Sequence, residues 1–518
     1  MSTIVGTLNY AKKVLDMKKS GTATYIKNIV LVGESSVPAD VQQQAEATGI
    51  TVHTFESVIE VGSKQSCPRI AATKDDIHVI SYTSGTTGDP KGVKLSHENL
   101  LSNAKATGRR TVCVAGDPII SYLPYTHSFE QGLFTYAVFQ GLKIGFYQGN
   151  PLKLMEDCAL LKPVLFPSVP RLYNKIYGSL KLKFNEVTGC KRWLLDRGLR
   201  AKEANLAADG TVTHGCYDML LFGKASQMLG GRVRQMVTGS APIDKQVVDF
   251  LKIVFSCPIQ EGYGLTESSA AGSIMSADDM VTGHVGGPVE VVKFKLQSIP
   301  AMEYEVTDKP YPRGELLLKG LPIFKGYYKN EEKTNEAFDE QGWFKTGDVV
   351  QVYENGSLKI IDRSKNIFKL SQGEYIAPEK IEGIFGLSPY IAQCLVYGNS
   401  FKNSCVAIVV PDEPVIKKWA NENGVTGEFA DLIKNKELIK AINADMLKLA
   451  TENKLSSLEK PKKMHLSAEL FSVENDCLTP TFKLKRHQAA KYYQKQIDEM
   501  YVVVEEMEAA RDAANAKK

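Results

Sequence analysis

The stretch from Ile80 to Val93, ISYTSGTTGDPKGV, constrains the fold of this chain more than any other. An apolar, β-prone run from Ile77 to Thr83 gives way at once to glycine, small hydroxyl residues, a proline and a lysine. That pattern predicts a strand opening into a loop that grips an anion. Gly85 and Gly88 reach backbone angles that other residues resist, so successive N–H groups can turn inward on a phosphate. Thr83, Ser84, Thr86 and Thr87 add hydroxyl donors, and Lys91 brings a mobile positive charge. The ordinary P-loop of ATPases is excluded: it needs glycine directly before its lysine and Ser or Thr after it, and Pro90 and Gly92 hold those places. A solvated Gly/Thr turn is the plainer alternative, and the nearly unbroken run of special residues counts against it.

A chain of 518 residues is long enough for three or four folding units with their own cores. Hydrophobic residues at 43% and charged residues at 24% place it among globular proteins. A net charge of +4 with scattered Lys and Arg gives no reason to expect nucleic acid as a partner. Nine cysteines lie far apart with no CxxC, so neither a zinc site nor a disulfide framework is expected, and reduced thiols in the cytoplasm are the simpler account. The first residues, MSTIVGTLNYAKK, lack an apolar signal core, and the last, NAKK, carry no peroxisomal address. No window of about twenty apolar residues is present to span a bilayer. The nearest, Leu133 to Tyr147, is interrupted by Gln140 and Lys143 and reads as buried helix and strand.

Along the chain, β runs at Ile29 to Val32, Ile50 to Phe55 and Ile77 to Thr83 alternate with a helical stretch near Ala39 to Ala47, the pattern of βαβ units feeding a parallel sheet. The phosphate loop then sits at a strand's carboxyl end, where open α/β sheets bind ligands. His127 follows an LP turn in SYLPYTHSFEQG, where a core histidine is the plain reading. Phe166 to Tyr177 predicts a proline-stiffened turn and a helix starting near Arg171, and Tyr217 to Gly231 an amphipathic helix closed by a glycine pair. A strand then turns at Gly239, Ser240, Ala241 and Pro242.

A second glycine-rich loop, QEGYGLTES, carries its own chemistry. Tyr263, between Gly262 and Gly264, can lay its ring against a purine, while Thr266 and Glu267 set a hydroxyl and a carboxylate beside a phosphate. A carboxylate next to a phosphate is repulsive unless a cation lies between, so Glu267 implies Mg²⁺, with Thr83 as a further candidate ligand. Short β runs from Val285 to Gly320 predict a barrel-like subdomain, and Asp348 falls just before a strand, where a turn former is the ordinary reading. The line TPTFKLKRHQ near the end offers two lysines, Lys483 and Lys485, and the tail from Ala489 reads as one long amphipathic helix.

Taken together, ISYTSGTTGDPKGV, LPYTH, TGSAP, QEGYGLTES, DRSKNIFKLSQGEYIAPEKIE and TPTFKLKR resemble the adenylate-forming superfamily, and most closely its long-chain acyl-CoA synthetases. The resemblance implies an α/β fold: a large N-terminal domain of βαβ-type sheets with a small barrel-like subdomain, and a small mobile α+β C-terminal domain. It divides the chain into an adenylation domain (1–361), a hinge linker (362–367) and a C-terminal lid (368–518). It implies ATP, Mg²⁺ and coenzyme A, with a long-chain fatty acid activated first to acyl-AMP and then to acyl-CoA. His127 would lie beside the acyl-adenylate, Gly239 to Pro242 along the adenine, Asp348 on the ribose hydroxyls and Arg363 on ribose and phosphate. Lys365 would be the hinge, Gly373 would border the pantetheine channel, and Lys483 would enter the site during adenylation, with Lys485 as its rival in register. Phe482 replaces the family's commoner glycine. The resemblance also sets a cytoplasmic location with peripheral contact to the endoplasmic reticulum or another membrane as an expectation. Only 79 residues precede Ile80, fewer than in long-chain members, so part of the large domain is expected to be missing. That shortening leaves two alternatives open: a non-catalytic acyl or nucleotide binder, and a ligase that stops at acyl-AMP.

Overall fold

A computed structural model describes residues 2–65, 67–83, 90–479 and 482–515. Ser84, Gly85, Thr86, Thr87 and Gly88 of the expected phosphate loop lie outside the described residues. The chain forms two compact units, Met1–Thr73 and Lys74–Lys518.

In the first unit, β1 (Thr3–Gly6), β2 (Asn28–Leu31) and β3 (Thr51–Thr54) form a parallel sheet in that order. Helices Leu8–Lys19 and Ala39–Thr48 make the crossovers. They bury Ala11, Leu15, Val41 and Ala45 against Ile29 and Leu31. The expected βαβ arrangement is therefore present for two of its three runs. The third departs from it: β4 (Ile77–Thr83) pairs antiparallel with β5 (Lys91–Ser96), Thr83 opposite Lys91, and joins no parallel sheet. The connection from Thr83 to Lys91 is hairpin length, and a parallel pairing requires a crossover of a dozen residues or more. The phosphate loop thus joins two antiparallel strands rather than leading from strand to helix.

In the second unit, β6 (Pro118–Ser121), β7 (Lys143–Phe146), β8 (Leu165–Ser168), β9 (Gln235–Thr238), β10 (Ile259–Tyr263) and β11 (Ser273–Ile274) make one sheet, ordered β11-β10-β9-β8-β6-β7 and parallel except for β11. Successive residues of a strand face opposite sides, and both sides here are buried. Leu165 and Val237 pack with Leu100, Leu133 and Tyr136, while Phe166 and Met236 pack with Tyr173, Ile176 and Val247. The helix predicted near Arg171 spans Pro170–Asn185, with proline in its first turn, where no N–H partner is needed. The helix expected from Tyr217 to Gly231 is interrupted by a π turn at Asp218–Phe222.

The barrel-like subdomain takes the form of a four-stranded antiparallel meander, β12 (Val292–Gln297), β13 (Arg313–Gly320), β14 (Phe344–Val352) and β15 (Leu358–Arg363). Register shifts beside Glu315 and Val349 bend it. Beyond it come a short hairpin, β16 (Phe368–Lys369) and β17 (Tyr375–Ile376), and a sheet of β18 (Ile391–Tyr397), β19 (Val406–Pro411) and β20 (Met464–Leu466). Helices Pro378–Phe385 and Lys436–Glu452 share a core with this sheet, through Ile381, Phe385, Leu438 and Ile442 against Ala407 and Val409. The tail is two helices, Arg486–Tyr492 and Gln494–Asn515, rather than one. All nine cysteines are free thiols.

One buried charge ties the helices behind the large sheet together. Lys202 is fully buried in the helix Gly189–Asp209; its Nζ donates to Asp218 Oδ1 at 2.5 Å and Ser256 Oγ at 2.7 Å, and lies 4.6 Å from the centre of the Phe222 ring. An ammonium out of water needs that carboxylate, so removing the acid alone leaves an uncompensated charge. Asp218→Ala should lower unfolding stability by about 3 kcal/mol, read from the urea midpoint, whereas Asp218→Ala with Lys202→Met should recover most of the loss.

Candidate active site

Three strands of the large sheet, β8, β9 and β10, end side by side, and the turns that follow β9 and β10 are held close by missing side chains. A Cβ on Gly239 would lie 3.1 Å from Gly262 O, and one on Gly264 only 1.4 Å from Ala270 O. No residue but glycine fits Gly264, because a side-chain carbon would overlap a carbonyl oxygen. Ser240 takes φ 73 in the left-handed region to complete the first turn. Ala241 and Pro242 follow it on the exposed side.

The QEGYG turn meets the meander through a buried carboxylate. Asp348, on β14, is 3% exposed. The Tyr263 hydroxyl donates to its Oδ2, and Arg363 Nε, opposite it on β15, lies 3.3 Å from Oδ1. Burial raises the Asp348 pKa above the ordinary carboxylate value, against the pull of Arg363 and of the Tyr263 hydroxyl. Thr266 opens a short 3₁₀ turn that carries Glu267, whose Oε1 accepts a 2.9 Å hydrogen bond from the Tyr327 hydroxyl. Lys91 Nζ stands 5.1 Å from the centre of that same Tyr327 ring. Thr83 Oγ1, opposite Lys91 in the β4–β5 hairpin, is 3.4 Å from the Lys91 carbonyl oxygen.

His127 caps the helix Ser128–Gln140, its Nδ1 accepting from the Phe129 N–H at 3.2 Å. Burial, with a smaller contribution from Lys483, depresses its pKa to about 4. The imidazole is therefore neutral near pH 7, and with Nδ1 accepting, its proton is on Nε2. His127, Gly239, Ser240 and Gly264 line a cavity of about 60 Å³ whose other wall includes Thr111 and Tyr136. The Tyr136 and Thr111 hydroxyls are hydrogen-bonded to each other, and Gly108 lies against the Tyr136 ring, where its Cβ would stand 2.8 Å from a ring carbon.

The two lysines near the C-terminus have different surroundings. Lys485 Nζ is ion-paired with Asp476. Lys483 instead senses the charges of Arg363, Glu379, Asp348 and Glu267, and burial above all lowers its pKa to about 8. Its loop is closed by Thr479 N–H donating to Lys483 O at 2.8 Å and Lys483 N–H donating to Thr479 Oγ1 at 3.1 Å. Phe482, with φ 60, sets its ring 5.3 Å from the Arg171 guanidinium. Lys365 is exposed in the turn after β15, and Gly373, with φ 97, turns the β16–β17 hairpin.

The geometry thus gathers His127, Gly239, Ser240, Tyr263, Gly264, Thr266, Glu267, Asp348, Arg363 and Lys483, with Lys91 joined through Tyr327. No described contact draws in Gly373, Lys365, Ala241 or Pro242. Two participants carry no signal in the sequence: Tyr327, one aromatic among several in FKGYYKNEEKT, and Glu379, to which Asn366 Nδ2 donates at 2.8 Å. Among the described residues no cluster of three His, Cys, Asp or Glu forms a self-sufficient metal cage. A single carboxylate with one oxygen already hydrogen-bonded suits Mg²⁺, which binds through one or two carboxylates and substrate phosphates.

The comparisons with known proteins point the same way. Residues 6–328 match the AMP-binding enzyme family. The chain is 42% identical over 480 residues to Long chain acyl-CoA synthetase 7, peroxisomal, of Arabidopsis thaliana, covering 92% of this chain and 68% of that protein. The chain belongs to the long-chain acyl-CoA synthetase family. Human Long-chain-fatty-acid–CoA ligase 1 is 39% identical over 498 residues, covering 95% of this chain and 70% of the relative. This synthetase-family chain therefore spans about two thirds of the length of those relatives. Among solved structures, the adenylation domain of a carboxylate reductase from Mycobacterium chelonae superposes with a TM-score of 0.78 at 25% identity, over 97% of this chain and 73% of that one. An anthranilate CoA ligase in complex with anthranoyl-AMP matches at 0.69 and 18% identity, over 96% and 79%, which speaks to fold alone. The α/β architecture of the adenylate-forming enzymes is thus the fold of this chain.

The Tyr263–Asp348 contact is open to direct measurement. Tyr263→Phe removes a donor from a buried carboxylate and should lower unfolding stability by about 2 kcal/mol, measured by urea denaturation. The loss should shrink as pH falls and Asp348 takes up a proton.

Proposed function

We propose that this chain couples a long-chain fatty acid to coenzyme A through an acyl-adenylate, at the expense of ATP. The observation that carries the reading is the convergence of Lys483, from near the C-terminus, with His127, Asp348, Arg363 and Glu267 from distant parts of the chain. In the first step the fatty carboxylate attacks the α-phosphorus of ATP and pyrophosphate leaves; in the second the CoA thiol attacks the mixed anhydride and AMP leaves. A carboxylate is a feeble nucleophile towards a polyanion, so the residues must offset charge and hold the reactants in line. Lys483 and Arg363 bring positive charge to the α-phosphate, Lys91 to the outer phosphates, and Asp348 accepts the ribose hydroxyls. Neutral His127 donates from Nε2 towards the carboxylate or anhydride oxygen. Glu267 is the residue that would hold Mg²⁺, and the ion when bound offsets charge on the phosphate oxygens.

The carboxyl end of the acyl chain enters the cavity between His127 and Tyr136, whose volume of about 60 Å³ admits only its first carbons. These residues bracket about two and a half turns of the helix Ser128–Gln140, roughly 13 Å. The same reading assigns 1–361 to adenylation, 362–367 to a hinge centred on Lys365 and 368–518 to a lid, with Gly373 beside the pantetheine arm. It sets the protein in the cytoplasm in peripheral contact with a membrane, from which a long acyl substrate is drawn. Among the described residues no helix is long and apolar enough to cross a bilayer.

Hydroxylamine with ATP, Mg²⁺ and palmitate should trap acyl-hydroxamate, and AMP release should depend on CoA when hydroxylamine is omitted. Hydroxamate without CoA-dependent release would mark a ligase that stops at acyl-AMP; neither, with ATP still raising the melting temperature, would mark a binder. Lys483→Ala should abolish hydroxamate formation and spare ATP binding, while Lys485→Ala retains both. Because the Lys483 ammonium is charged below its pKa, kcat/KM for adenylation should fall as pH rises through about 8. Lys483→Arg should move that limb upward. Tyr136→Ala, which opens the far wall of the cavity, should shift the hydroxamate profile across a fatty-acid series towards longer chains.

A further inference from the structure

We propose that Tyr327 is a positioning residue that seats Glu267 and Lys91, two oppositely charged groups, on opposite parts of one phenol so that both remain available to the nucleotide's phosphates. The inference rests on the adenylation reading above. Glu267 and Lys91 come from distant segments, and a direct ion pair between them would consume both charges. No ion pair between Lys91 and Glu267 is present among the described residues. Instead the hydroxyl of Tyr327 donates to Glu267 Oε1 at 2.9 Å, and the face of its ring receives Lys91 Nζ 5.1 Å from the centre. The hydroxyl occupies one carboxylate oxygen and leaves the other for a cation, and the cation–π contact orients the ammonium without neutralising it.

The backbone around Tyr327 is held on both sides. Phe324 N–H donates to Glu267 O at 2.9 Å and Tyr328 N–H to Gly92 O at 2.7 Å, while Val93 and Tyr327 form an antiparallel bridge. Gly326 takes φ 119 to make that path, with its Cβ position 2.7 Å from Thr334 Cγ2, and Tyr327 N–H donates to Thr334 Oγ1 at 2.9 Å. Tyr327 itself is 7% exposed and packs edge-on against Phe324, ring centres 4.9 Å apart. The segment Phe324–Tyr328 therefore links the Glu267 turn to β5, and within it the Tyr327 hydroxyl points at the carboxylate.

Tyr327→Phe keeps the ring and the Lys91 contact and deletes only the donor. Titration calorimetry of the full chain with ATP, with and without Mg²⁺, reads the consequence. The variant should bind ATP alone with the parent's affinity and MgATP about tenfold more weakly, the loss expected for one hydrogen bond to a charged group. Its melting temperature without ligand should stay within a few degrees of the parent's. Tyr327→Leu, which also removes the ring, should weaken ATP binding in the absence of Mg²⁺ as well. In the cycle with Glu267→Gln, adding Tyr327→Phe should cost nothing further in MgATP affinity. Parent-like MgATP affinity in Tyr327→Phe, or additive losses in the double variant, would overturn the role. A parent chain that binds no ATP would instead sink the adenylation reading itself.

Discussion

A carboxylate removed from water must be hydrogen-bonded, paired or protonated, and Asp348 is where that requirement joins the parts of the second unit. Tyr263 reaches it from the end of a parallel strand and Arg363 from the neighbouring strand of the meander. The contact fixes the distance between the large sheet's carboxyl edge and the antiparallel strands beside it. Because both partners donate, the carboxylate carries a concentrated negative charge in a dry setting, with Arg363 beside it to balance. Lys483 is drawn towards the same charges, against a burial cost that lowers its pKa.

Charge balance in the site is not visible in the overall charge of the chain. Arg363, Lys483 and Lys91 offset Asp348, Glu267 and Glu379, and bringing a polyanion into this cluster tips a near-neutral group of side chains. Arg363 pairs with Asp348 directly, whereas Lys91 and Glu267 meet the face and the hydroxyl of the same Tyr327 ring. The ion pair between Arg486 and Glu382 has a different purpose. It is bidentate, with both contacts at 2.7 Å, and anchors the helix that starts just after Lys485. Arg486 therefore belongs to the packing of the C-terminal part, although it follows Lys483 by only three residues.

Phe482 shows how strain and contact combine. A non-glycine residue at φ 60 carries a conformational cost of about 1 kcal/mol, and the ring's position over Arg171 offsets it while holding the Lys483 loop to the helix Pro170–Asn185. The departure from glycine noted in the sequence is thus accompanied by a contact that glycine lacks.

The sequence by itself determined the turns and their chemistry. Gly239 and Gly264 are legible as sites of close backbone approach because the constraint is local: a Cβ would crowd a carbonyl oxygen at the first and overlap one at the second, and neighbouring residue types say so. The expected βαβ pattern near the start was legible for the same reason, since hydrophobic period and crossover length are properties of short segments. What only the tertiary structure decided is which distant groups meet. Periodicity near Ile77 could not reveal that β4 pairs backwards with β5, because strand direction depends on the partner. Nor could composition separate Lys483 from Lys485, two residues apart in one basic run: Lys485 pairs with Asp476, and Lys483 lies among the charges of Arg363, Glu379 and Asp348. Tyr327 had no signature at all, for its importance comes from a hydroxyl and a ring that touch residues far away in the chain. Backbone geometry is imposed over a few residues and is readable there, whereas the convergence of side chains arises from packing that no short segment contains.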